Sequence, residues 1–161
     1  MMKNNTIKYF IPGYLLILCF ILPLNFYIIG GDMGIGMQGS FYRYQVTGYG
    51  SGIIPLNQDL GYIMTGIYDG KTAISIGIWT IASFFLAAAT VVALMTNIEP
   101  HKKRAHIISI FMFFASVGFL VSIMMQYGAL FNGPAGISIP LGVPILLLFS
   151  IYCYKMRDTF L

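Results

Sequence analysis

The sequence predicts an all-α integral membrane protein, a four-transmembrane-helix bundle with a small extracytoplasmic β-hairpin in its first outer loop. Three observations carry the prediction. Of 161 residues, 58% are hydrophobic and only 9% are charged, against about 25% charge in a typical soluble domain. The mean hydropathy is +0.81. The apolar residues gather into long runs that contain no Asp, Glu, Lys, Arg or His. A spanning helix needs about 20 apolar residues, so residues 1–161 hold about four spans in a single membrane domain.

The first run, 9–29, follows a basic N-terminal stretch (Lys3, Lys8). It imitates a signal peptide, but it is long and no small-x-small site precedes Gly30-Gly31-Asp32, so it reads as a retained span. The other runs cover 72–98, 107–131 and 137–154. Pro23, Pro140 and Pro144 remove backbone donors in the outer two spans and predict kinks there. Cys19 and Cys153 both lie in apolar runs, so they read as small helix fillers and not as a disulfide.

Charge sets the orientation. Lys3, Lys8, Lys102, Lys103, Arg104, Lys155 and Arg157 fall in the two termini and the 99–106 link, seven of the nine Lys and Arg. The positive-inside rule makes those segments cytoplasmic, and the 31–71 loop and 132–136 link extracytoplasmic. Lys102, Lys103 and Arg104 are also candidate contacts for anionic lipid head groups. The net charge of +4 therefore reads as topology and lipid contact and not as nucleic-acid binding. The sequon Asn4-Asn5-Thr6 lies on the predicted inner side, where it is not glycosylated.

Two small-residue faces predict helix packing. The second run carries Ala73, Gly77, Thr80, Ser83 and Ala87 at steps of three and four. The third carries Gly118, Ser122 and Gln126. Small residues allow close backbone approach and hydroxyls bond across helices, so these faces pack as an antiparallel hairpin.

The 31–71 loop is the one long extramembrane segment. Phe41 to Thr47 alternates and is rich in aromatic and β-branched residues, which predicts a strand. Gly48-Tyr49-Gly50 is a turn, Ile53 to Leu56 a short return strand ended by Pro55, and 57–64 a short helical return. A lone hairpin is marginal in water, so its ring-rich surface needs a neighbour. Tyr42, Arg43, Tyr44, Tyr49, Tyr62 and Tyr68 are the predicted partner contacts, since Tyr and Arg concentrate at protein interfaces. Asp32, Asp59 and Asp69 match no calcium-loop spacing.

Enzyme chemistry is not legible. His101 and His106 flank the basic link, so no span carries a haem ligand, and no metal cluster, nucleophile–base pair or intramembrane acid can be assembled. No catalytic residue, cofactor or metal is expected.

The layout resembles that of tetraspan proteins such as claudins: cytoplasmic termini, a larger first outer loop with strand character, and a short second one. The resemblance is one of topology. The claudin loop signature of tryptophans followed by paired cysteines is missing, because this loop has neither residue. The cysteine-rich second loop of tetraspanins is missing too. The expectation is a non-catalytic accessory or self-assembling component of the cell membrane, in contact with lipid and with other membrane-protein subunits or copies of itself. The alternative is a channel or transporter subunit that uses the polar faces around Gln126.

Overall fold

The computed structural model describes Leu15, Ile17, residues 21–98 and residues 102–156. The chain is not an all-α four-span bundle. Its described residues form a six-stranded antiparallel sheet with four helices. The strands are β1 (Asn25–Ile29), β2 (Gly34–Gln38), β3 (Tyr42–Thr47), β4 (Gly50–Pro55), β5 (Asn132–Gly133) and β6 (Gly136–Ile139). The helices are α1 (Leu56–Met64), α2 (Gly70–Ile98), α3 (Lys102–Tyr127) and α4 (Gly142–Met156). Of the predicted first span, residues 9–14, 16 and 18–20 lie outside the described residues.

Prolines and strand pairing break the first and fourth apolar runs. At the end of the first apolar run Ile21 and Leu22 already form a turn ahead of Pro23, and Asn25–Ile29 is a strand with alternating burial. A residue before proline is pushed out of the helical region, which ends the helix there. The start of the fourth run, Gly136–Ile139, is likewise a strand, and Pro140 separates it from α4. Pro144 then falls in the first turn of α4, where its missing N–H costs nothing. What remains of that run is a 15-residue helix, about 22 Å long against a hydrocarbon core of about 30 Å. Among the described residues, two helices are long and apolar enough to cross a membrane, over Gly70–Met95 and Lys103–Tyr127.

The sheet order is β4-β3-β2-β1-β6-β5. The predicted lone hairpin, β3 and β4 joined at Gly48-Tyr49, is thus one margin of a sheet built from residues 25–55 and 132–139. Gly136 makes the β6–β1 pairing possible: its φ is +125° and a Cβ there would lie 1.9 Å from the Ile28 carbonyl oxygen.

The helices pack through hydroxyls and small residues. Ser75 on α2 and Ser122 on α3 each donate to the other's backbone carbonyl, at 2.8 Å both ways. Ser109 on α3 and Ser150 on α4 repeat the device, at 2.9 and 2.8 Å. A Cβ built on Gly118 would sit 2.8 Å from the Ala82 Cβ, so α2 and α3 are in backbone-close contact there. Trp79, Leu86, Met112, Ala115 and Leu146 fill the core between them.

The sheet stands on these helices. At its lower edge the Leu24 N–H donates to the Gln38 carbonyl (2.8 Å) and the Gly142 N–H to the Leu24 carbonyl (3.0 Å). The β2–β3 turn reaches α2, where the Trp79 indole donates to the Gly39 carbonyl (3.1 Å) and the Ser83 hydroxyl to the Ser40 carbonyl. The opposite strand ends, at Met33 and Tyr49, are exposed.

Candidate interaction surface

Cross-strand partners share a sheet face, so the register divides the residues cleanly. One face carries Asn25, Tyr27, Gln38, Arg43 and Ser138. It turns toward the helices, and Asn25, Tyr27, Gln38 and Ser138 are buried. Tyr27 meets Tyr127, the last residue of α3, at a ring separation of 6.1 Å. The Ser138 hydroxyl donates to Asn25 Oδ1 at 2.6 Å. Tyr27 covers Gly36 across the strand pair, with ring atoms 2.4 to 2.7 Å from where a Gly36 Cβ would be. The Tyr27 hydroxyl has no hydrogen-bond partner among the described residues, and burial raises its pKa.

The other face is apolar and points away. Its lower row is Ile139, Phe26, Met37, Tyr44 and Ile53, and its upper row is Ile137, Ile28, Ile35, Val46 and Ser51. Neither row contains a charged side chain. Ile35 is 59% exposed, Ile53 66% and Ile139 51%. A shallow groove of about 370 Å³ runs over Phe26, Ile28, Ile35, Met37, Tyr44 and Val46. This inverts the usual arrangement, in which a one-sided antiparallel sheet buries its apolar face and solvates its polar one.

A buried ion pair locks the sheet margin to α1. Arg43 Nε donates to Asp59 Oδ2 at 2.7 Å, and Arg43 Nη2 donates to Asp59 Oδ1 and, at 3.1 Å, to the Tyr68 hydroxyl. The side chains are 11% and 0% exposed. Burial pushes the Asp59 carboxyl up, and the guanidinium only partly offsets it. Asp59 and Tyr68 in turn hold the Arg43 guanidinium above its ordinary range, against the opposing effect of its own burial.

The predicted contact residues therefore separate. Tyr44 lies on the apolar face, and Tyr42 stands at its foot with its hydroxyl 3.4 Å from the Ile21 carbonyl. Tyr49 is fully exposed at the hairpin tip. Arg43 and Tyr68 belong to the internal ion-pair cluster, and Tyr62 packs edge-to-face on Tyr68 at 5.3 Å. Asp59, weighed in the sequence only as one of three acids, is the partner Arg43 requires.

The predicted packing residues separate as well. Ser83 is buried, Ser122 forms the serine pair, and Gln126 accepts from Ser75 at 3.4 Å. Ala73, Gly77, Thr80 and Ala87 are half-buried and flank the true contact stripe of Ser75, Trp79, Ala82, Leu86 and Ala89. Thr80 uses its hydroxyl on the Ile76 carbonyl of its own helix (2.8 Å). Lys102, Lys103 and Arg104 lie in the first turn of α3, and Arg104 Nη1 donates to the Met95 carbonyl near the end of α2 (2.8 Å). The apolar face is not among the sequence-based expectations, because Asn25–Ile29 and Gly136–Ile139 lie within runs that hydropathy assigns to helices.

No family model and no curated protein matches this chain.

Proposed function

We propose that the protein is a non-catalytic component of the cell membrane, anchored by α2 and α3, whose extracytoplasmic sheet is a contact platform for other membrane proteins or further copies of the chain. One observation carries the reading: the sheet buries its polar face and exposes an uncharged apolar one. An exposed apolar patch of this extent marks an interaction site.

Basic residues support the orientation. Lys102, Lys103 and Arg104 sit at the α2–α3 connection, which supports a cytoplasmic placement of that end, beside anionic head groups. Exposed Ile81, Phe84 and Val91 of α2, with Phe113, Val117 and Val121 of α3, then face lipid. The sheet stands outside, its strands along the membrane normal, and its apolar face looks sideways at neighbours. Ser75 and Ser122 spend their hydroxyls on each other's carbonyls, which favours packing over a solute path.

The test uses single cysteines in a Cys19→Ser, Cys153→Ser background and a membrane-impermeant maleimide on intact cells. Tyr49→Cys is expected to label from outside, and Lys103→Cys only after permeabilisation. Polypeptides that co-purify with the native chain are expected to be lost with Ile35→Lys. The reverse labelling, or co-purification indifferent to Ile35→Lys, would overturn the reading.

A further inference from the structure

We infer that the apolar sheet face pairs with the same face of a second copy in the same membrane, about a two-fold axis along the membrane normal. The inference rests on the platform reading and names the occupant of that surface.

Height favours a second copy. The lower edge of the sheet is tied to α4 through Leu24 and Gly142 and to α2 through the Gly39 and Ser40 carbonyls, so every copy anchored in one membrane presents this face at one level. Any other partner must match that level independently. An isologous contact needs only one surface, with residue i meeting j and j meeting i.

Charge permits it. A two-fold contact brings two copies of one charge pattern together, so a face of a single sign would repel itself, and neither row of this face carries a charge. Sheet faces have no free backbone donors of their own to satisfy, because the ladder bonds of β1, β2 and β3 are used on both sides.

Shape completes it. The groove lies over β1 and β2, and Ile53 on β4 stands outside it, at the sheet margin. Ile53, Met37 and Phe26 belong to one cross-strand row. Strands are about 4.8 Å apart. With the axis between β2 and β3, β4 of each copy therefore lies over β1 of the other, and Ile53 enters the partner's groove at the level of Phe26. The face carries both the knob and the hole.

The experiment co-expresses two differently tagged full-length chains, one Phe26→Cys and one Ile53→Cys, both lacking Cys19 and Cys153. Membranes are treated with a bismaleimide spanning about 10 Å, the separation of facing sheets. The expected product carries both tags at twice the 17.9 kDa chain mass, and it is lost when Ile35→Lys is added to both chains. Trp79, the single tryptophan, reports by its emission that each variant is folded. If Ile53→Cys instead cross-links to a different polypeptide, self-pairing is overturned and the platform stands. If folded chains give no adduct and run at single-chain mass, both fall.

Discussion

Ser75 on α2 and Ser122 on α3 exchange hydrogen bonds, each hydroxyl donating to the other's backbone carbonyl at 2.8 Å. The pair ties the Gly70 end of α2 to the Tyr127 end of α3, near where Gly118 brings the helices close to Ala82. Hydroxyl bonds between membrane helices contribute about 0.6 to 2 kcal/mol each. The double variant Ser75→Ala/Ser122→Ala is expected to lose about 1–3 kcal/mol of stability, read by denaturant titration of Trp79 emission. A double variant as stable as the parent would contradict this.

Gly118 gives a steric test of the same contact. Its Cβ position is 2.8 Å from the Ala82 Cβ, so Gly118→Val must push α2 and α3 apart. A loss of about 1–3 kcal/mol is expected, the usual result of overfilling a packed contact. Gly77→Ala is the control: nothing lies within 4 Å of its Cβ position, and it should be neutral or slightly stabilising. Thermal melts of the two variants in one detergent make the comparison.

Arg43 and Asp59 are both removed from water, so breaking the pair strands a charge. Asp59→Asn is expected to cost about 3–5 kcal/mol. The double replacement Arg43→Met/Asp59→Leu should recover most of it, because two apolar side chains of similar volume leave no buried charge. A double variant no better than Asp59→Asn would mean that the pair contributes through Tyr68 or α1 in some further way. Urea midpoints of the three proteins decide it.

Tyr27 predicts the opposite sign. Its buried hydroxyl has no bond to any described residue, and its ring covers Gly36. Tyr27→Phe keeps the ring and removes the stranded hydroxyl, so stability should stay level or rise by about 1–2 kcal/mol. Gly36→Ala should lower it, since the new methyl meets that ring. Melting temperatures of the two variants test both halves.

Legibility in the sequence followed the range of the interactions. The runs that became α2 and α3 are free of charge over most of their length, and a period and a hydropathy identify them locally. The β3–β4 hairpin was readable because alternation and the Gly48-Tyr49 turn lie within one short stretch. β1 and β6 were not, because Asn25–Ile29 and Gly136–Ile139 sit at the ends of apolar runs that hydropathy alone assigns to helices. Each has a local partner, β2 for β1 and β5 for β6, but their pairing with one another joins opposite ends of the chain, as Tyr27 with Ser138. The same limit hid the ion pair. Arg43 and Asp59 were each noticed, but nothing local says that two residues 16 apart face one another. The apolar face was invisible for a related reason: its rows exist only once five strands are in register.

The most direct test of the account is the native mass of the protein extracted in mild detergent from its own membrane, measured for the parent and for Ile35→Lys. Ile35 is 59% exposed at the centre of the apolar face, so the substitution should not unfold the chain, and unchanged Trp79 emission would verify that. The account predicts a parent assembly larger than the 17.9 kDa chain that falls to single-chain mass in Ile35→Lys. Equal masses for the two proteins would contradict it.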